Sequence, residues 1–267
     1  MQTQSALIQC LLVFMVLVSA ACAQQVGTTT ASASASESRT PDLGVIIQKL
    51  QEAQEANRPQ LPYEAVRDYR FFEADPARTS AEVVARITFM PPNVKKYTIQ
   101  NHTGSSRGED IVRHILDKES SMTAQDPDAS LRAVSAQNYE FAYLGDDDLN
   151  GIACYKLKIS PKHKDISLVE GQVWVDQNSF LIRRIDGEMS KSPSWWLKRV
   201  HLVMDFGSLA GTWQQTGTQA SADVRMVGKR TLVSKVVDYR GGEIVALQRQ
   251  TVLRTFQAKH LAVAVGR

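Results

Sequence analysis

A serine framed by two glycines is the first residue in this chain whose surroundings spell out a reaction. Gly104-Ser105-Ser106-Arg107-Gly108 fits Gly-x-Ser-x-Gly and falls between a candidate strand and a candidate helix. That is the order in which a nucleophile elbow lifts its serine onto a strained turn. The preceding run, with Lys95, Lys96 and Gln100, is polar where such an elbow follows a buried apolar strand, and three residues intervene. A plain Gly/Ser loop is therefore the preferred reading of Ser106. Asp146, Asp148, Asn150 and Gly151 stand at positions 1, 3, 5 and 6 of an EF-hand calcium loop, but position 12 is Leu157, which has no carboxylate to give. The flanking segments alternate like strands, so a polar hairpin turn accounts for the same residues. His102, His114, His163, His201 and His260 form no HExxH motif, and no CxxC completes a zinc site. Gly241-Gly242 lacks the Lys-Ser/Thr of a phosphate loop. The sequence leads us to expect no catalytic residue, no metal and no cofactor.

Two adjacent indoles remain. Trp195 and Trp196 lie beside Lys191, Lys198 and Arg199. An indole joins an apolar body to a polar N–H, which suits a membrane interface or the grip on an amphipathic partner. At a strand entry the two rings point to opposite faces, one of them toward a core.

The elements that must position these residues begin after an uncharged leader. No charged residue precedes Glu37, and Leu11 to Val18 is an unbroken apolar run of eight. A helix needs ~20 residues to cross a bilayer, so this run is too short to span one. Ala21-Cys22-Ala23 follows as an Ala-x-Ala site, which reads residues 1–23 as a signal peptide cut after Ala23. Ser19-Ala20-Ala21-Cys22 also approximates a lipoprotein box with Ser19 in the place of leucine, in which case Cys22 carries a lipid anchor. Either way the product is exported. Residues 24–41, rich in Ala, Ser and Thr, read as a flexible tether. Only Cys154 remains in the mature domain, so no internal disulfide holds it, and Cys154 reads as a small buried hydrophobe.

The chain of 267 residues carries 31 basic and 28 acidic side chains, a net charge of +3, with no nucleic-acid signature. Asp42 caps a helix whose apolar stripe is Leu43, Ile46, Ile47, Leu50 and Ala53. A second helix, Gly108 to Met122, shows a narrow stripe of Ile111, Val112, Ile115 and Leu116. Elsewhere alternation at period two predicts about eleven strands. Examples are Tyr63, Ala65, Arg67, Tyr69 and Phe71, and Val200, Leu202, Met204 and Phe206. The expected fold is mainly β with two or more helices, an α+β protein. Its strongly curved antiparallel sheet forms an incomplete barrel with helices packed over the open side. The domain is expected over 42–242, followed by a C-terminal tail, 243–267, of conflicting periodicity.

The order of motifs then resembles a known group. The turn Gly145 to Gly151 is followed by Cys154-Tyr155-Lys156-Leu157 and Pro161-Lys162. Next come Gly171-Gln172-Val173-Trp174-Val175-Asp176 and Leu181-Ile182-Arg183-Arg184. This is similar to the outer-membrane lipoprotein-sorting superfamily, which includes the periplasmic lipoprotein carrier, its outer-membrane receptor and sigma-factor regulators. The resemblance implies a half-barrel around an apolar cavity that accepts acyl chains, with no bond made or broken. Its partners would be lipid or lipoprotein acyl chains, an envelope protein and a peripheral membrane contact. Inward residues of such a cavity would be Val83, Ile87, Phe89, Trp174, Met204 and Phe206. The alternative is an envelope interaction or regulatory protein with a filled cavity, using Trp195, Trp196, Lys198 and Arg199 as its surface.

Overall fold

The computed structural model describes residues 42–73, 78–126, 129–193, 195, 197–226 and 228–242. Contacts divide the chain between Thr40 and Pro41, and every described residue belongs to the second unit.

Helix α1, Leu43–Ala56, starts where the Asp42 carboxylate accepts the Gly44 N–H at 2.8 Å and stops at Asn57, two residues before Pro59. That cap satisfies one of the amides a helix start leaves without a partner. Three strands follow: β1, Tyr63–Phe72, β2, Thr79–Met90, and β3, Val94–Gly104. Helix α2, Ser106–Gln125, then leads to β4, Tyr139–Asp148. The remaining strands are β5, Ala153–Pro161, β6, Val169–Asp176, β7, Ile182–Met189, β8, Leu197–Leu209, β9, Thr212–Val224, and β10, Gly228–Gly241. All neighbours are antiparallel in the order β3-β2-β1-β10-β9-β8-β7-β6-β5-β4, so the sheet is an incomplete barrel with β3 and β4 as its edges.

Ten strands are described where the alternation suggested about eleven. Thr212–Thr218 and the residues from Ala222 to Val224 belong to one long strand, β9, because Gln219-Ala220-Ser221 between them contains no Gly or Pro to break it. The second helix also starts earlier than its apolar stripe. Strand β3 runs to Gly104, which takes φ +82°, and Ser105 is the N-cap, so Ser106 is the first helical residue.

One row of Cα partners crosses the whole sheet. It reads Tyr143, Leu157, Val173, Ile185, Met204, Thr218, Ser234, Tyr69, Val83 and His102 from β4 to β3. Paired residues share a face, and this one is the helix-covered side. Leu157, Val173 and Ile185 pack in one cluster with Ile46 and Leu50 of α1, while Tyr69 and Val83 pack with Val112 and Leu116 of α2. The two helices thus roof two separate parts of the same inner face.

Candidate functional site

Between those two roofed parts lie β8, β9 and β10. Strand β2, beneath α2, buries Ala81, Val83, Ala85, Ile87 and Phe89. On the three central strands Val200 alone is buried among the described residues. The inner side chains there, including Leu202, Met204 and Phe206 on β8, Ala220 on β9 and Leu232 and Val236 on β10, are half-buried. Among the described residues the floor continues across the sheet, with Thr218 on β9 and Ser234 on β10 set between the apolar side chains, but its helical cover does not, which leaves a trough between the helices. A half-covered apolar floor gains free energy when a further apolar body lies on it, at roughly 25 cal/mol per Å² removed from water.

At one end of the central strands lies a cavity of 320 Å³. Its walls are the segment Asn57–Leu61 after α1, the β8–β9 turn through Trp213, and Tyr239 and Gly241 of β10. Trp213 is fixed there: its Nε1–H donates to the Ile182 carbonyl at 3.0 Å, and the Arg183 guanidinium lies 4.6 Å from its ring. Asp176 in turn accepts from Arg183 Nη2 at 2.6 Å. Tyr239 stacks on Tyr63 with ring centroids 5.3 Å apart, and Tyr63 packs on Phe89 at 5.1 Å. The rings form a continuous wall from the cavity to β2. Burial pushes the Tyr63 phenol up to about 12.

A charged triad closes the α2 side of the trough. Lys95 Nζ donates to Glu119 Oε2 at 2.7 Å, and Arg67 Nη1 donates to the same oxygen at 3.3 Å. Arg67 is the Cα partner of Val236 on the trough floor, and Lys95 is the partner of Phe89. The side chains of Arg67 and Lys95 are 13% and 14% exposed, and Glu119 is 32% exposed. Water therefore reaches the triad through its carboxylate. Burial alone would raise the Glu119 carboxyl, but Lys95 and Arg67 outweigh it and hold the group below the usual carboxylate range. Burial opposes the charge on Arg67 too, yet Glu119 and the phenol of Tyr69 raise its pKa. For Lys95 burial wins over Glu119, and its ammonium is pushed down. The triad ties α2 to β1 and β3 by charge as well as by packing.

The residues expected to line a cavity fall into separate places. Val83 and Ile87 are closed over by Val112 and Leu116 and belong to a filled core. Phe89 stands in the ring wall with Tyr63. Met204 and Phe206 lie on the trough floor, packed against the α1-side cluster. Trp174 is on the other face: Val173 and Val175 on either side of it point inward, so alternation turns it outward. There its Nε1–H donates to Asp147 Oδ2 at 2.9 Å and Lys156 Nζ sits 4.8 Å above its ring.

Of the expected surface cluster, Trp195 is 81% exposed and Arg199 is exposed. Trp196 and the side chain of Lys198 lie outside the described residues. Ser106 is an exposed helix-start residue, and His102 on the preceding strand contacts Glu109 Oε2 at 3.1 Å. The aspartate-rich turn is a hairpin. Asp148 Oδ1 accepts the Gly151 N–H at 2.7 Å, and Asp146 Oδ1 accepts the Tyr143 hydroxyl at 2.6 Å. Among the described residues no His, Cys, Asp and Glu converge to hold a metal ion, and no described helix is long and apolar enough to cross a membrane.

Arg67, Lys95, Glu119, Tyr239 and Trp213 carry the site without having been singled out from sequence. Arg67 had a signal, since it is the one charge on the apolar side of β1. The others meet only through pairings distant in sequence.

No curated protein matches the chain. Among solved structures it is similar to an outer membrane lipoprotein-sorting protein domain from Vibrio parahaemolyticus. That match has 13% identity and a TM-score of 0.43, and covers 74% of this chain and 92% of the other. A DUF1329 family protein from Desulfovibrio piger matches at 14% identity and TM-score 0.39, with coverage of 74% and 92%. A LolA superfamily protein from Nitrosomonas europaea matches at 15% identity and TM-score 0.33, again over 74% and 92%. Residues 75–240, well over half of the chain and everything from β2 to the last residue but one of β10, match the model of a family of unknown function, DUF5686, and the chain belongs to that family.

Proposed function

We propose that this is an exported, non-enzymatic lipid- or lipoprotein-binding protein of the bacterial cell envelope, and that it holds acyl chains against the inner face of β8–β10. The observation that carries the reading is the half-covered floor. Strands β8 and β10 present Leu202, Met204, Phe206, Leu232 and Val236 on the inner face and β9 between them presents Ala220 and Thr218, with Val200 alone buried among the described residues of the three. The cavity of 320 Å³ at the end of these strands falls within the range of ligand pockets, about 300–1,000 Å³. An acyl chain needs such a surface and little else, because it offers no hydrogen bonds for polar groups to read. The uncharged leader with its Ala21-Cys22-Ala23 site supports export, through cleavage after Ala23 or lipidation of Cys22.

The test is native mass spectrometry of protein purified from an envelope fraction, with lipid extraction and uptake of a fluorescent fatty acid. A stoichiometric acyl-bearing ligand is expected, and it is expected to be lost in Met204→Glu and Phe206→Glu. These positions are half-buried, so the variants should keep the wild-type circular dichroism spectrum. An empty protein that takes up no fatty acid would refute the reading.

A further inference from the structure

Trp195 and Met226, at 81% and 104%, are the most exposed large hydrophobic side chains among the described residues. They lie far apart in sequence but at one end of the sheet. Leu197 and Val224 are Cα partners; Trp195 is two residues before the first and Met226 two residues after the second. Both therefore project beyond the same strand ends, one from the β7–β8 turn and one from the β9–β10 turn. The β5–β6 turn joins them, since Ser190 donates its N–H to the Leu168 carbonyl at 2.8 Å and its hydroxyl accepts from the Asp165 N–H at 3.0 Å.

The charges at this end are unequal. Lys162, Lys164, Lys191, Arg199, Arg225, Lys229 and Arg230 lie on or beside these three turns, against Asp165, Glu170, Glu188 and Asp223. Arg199 is 72% exposed, and Glu188 approaches it only to 4.0 Å. The opposite end of the sheet mixes the signs: Asp146, Asp147 and Asp148 of the β4–β5 hairpin, with Lys156 Nζ 3.2 Å from Asp147, share it with Lys96 on β3 and Arg240 on β10. A negative plane would therefore favour the first end.

We propose that the end bearing the β7–β8 and β9–β10 turns seats on a bilayer that carries anionic headgroups. Trp195 and Met226 enter the boundary between headgroups and acyl chains, and the surrounding cations meet the lipid phosphates. An indole and a thioether on separate, highly exposed turn tips match the shallow burial of an interfacial anchor. This inference stands on the turns and does not depend on the trough.

Co-sedimentation with vesicles tests it in the full chain, comparing pure phosphatidylcholine with an equal mixture of phosphatidylcholine and phosphatidylglycerol. All proteins compared carry the same residues 1–41, so differences between them report the turns. Each cation near an anionic surface contributes about fivefold in partition. The pair Arg225→Gln and Lys229→Gln should therefore bind the mixed vesicles roughly 25-fold more weakly. The pair Trp195→Ser and Met226→Ser should lose on the order of tenfold or more. Added salt should weaken wild-type binding, and mixed vesicles should blue-shift the indole fluorescence of the wild type more than that of Trp195→Ser. Equal binding to both vesicle types, or wild-type binding by both pairs, would overturn the proposal. So would a protein that ignores vesicles yet is retained by polyglutamate through Trp195, which would assign the surface to an acidic polypeptide.

Discussion

Replacing Glu119 by glutamine should weaken the docking of α2 on the sheet. The substitution keeps the size of the side chain and removes the one carboxylate that Lys95 and Arg67 share, at 2.7 and 3.3 Å. Removing one partner of a buried ion pair costs about 3–5 kcal/mol, because the other charge stays buried without compensation. Glu119 is 32% exposed, so water screens part of that loss, and about 2–3 kcal/mol is the working figure. Urea unfolding with a slope of about 2.5 kcal/mol/M turns this into a midpoint lower by about 1 M. The compensated triple variant Arg67→Met, Lys95→Met, Glu119→Leu takes all three charges away, and it should return to within about 1 kcal/mol of wild type, because an apolar replacement removes the desolvation cost along with the attraction.

The pH dependence has a definite sign. The Glu119 carboxyl lies below its unfolded value, so its contribution is present above about 4.3 and is lost as pH falls through the lower folded value. Glu119→Gln should remove that part of the acid slope. A midpoint for Glu119→Gln within about 0.3 M of wild type, or a triple variant as unstable as the single one, would refute the reasoning.

Three further outcomes are expected. Burial raises Tyr63 and Tyr69 to about 12, so each supplies stability that is whole below about pH 10 and fades as pH rises toward 12. Alkaline titration of unfolding should show this, and Tyr63→Phe or Tyr69→Phe should each flatten the fall by about 2–3 kcal/mol. Gly171 and Gly187 are Cα partners on β6 and β7, and a Cβ on Gly171 would meet the Asp186 carbonyl oxygen at 2.2 Å. Because backbone cannot swing aside, Gly171→Ala should destabilise by at least ~2 kcal/mol by thermal melting, while Gly211→Ala, whose Cβ meets nothing within 4 Å, should cost less despite its φ of +81°. Cys154 is fully buried, and burial together with nearby Asp176 pushes its thiol up to about 11. It should resist a disulfide reagent in the native state and react in urea, and rapid native labelling would contradict that.

Much of the fold is legible in local pattern. Asp42 ahead of a 3.6-residue stripe specifies where α1 begins, since the capped amide and the apolar face agree. Gly145 to Gly151 between alternating runs specifies a hairpin, and the structure closes it with the Asp148 carboxylate on Gly151. Arg67 stands in the apolar alternation of β1, which already marks it as a charge in need of an inward partner. Where both faces are apolar the pattern loses its direction. In Val173-Trp174-Val175 nothing local distinguishes inside from outside, and the strand's pairing with Lys156 and Arg184 turns the indole outward.

The sequence by itself determined the strand and helix periods, the uncharged leader, the lone cysteine of the domain and the family-like order of motifs. These depend on neighbours in the chain, whose spacing is covalent. Tertiary structure alone decided that β1 pairs with β10, that Glu119 reaches Arg67 and Lys95, and that α1 and α2 roof different parts of one face. It also left β8–β10 half-covered and brought Trp195 and Met226 to the same end. Those outcomes depend on how far two helices extend over ten strands, a matter of area and closure that no window of sequence contains.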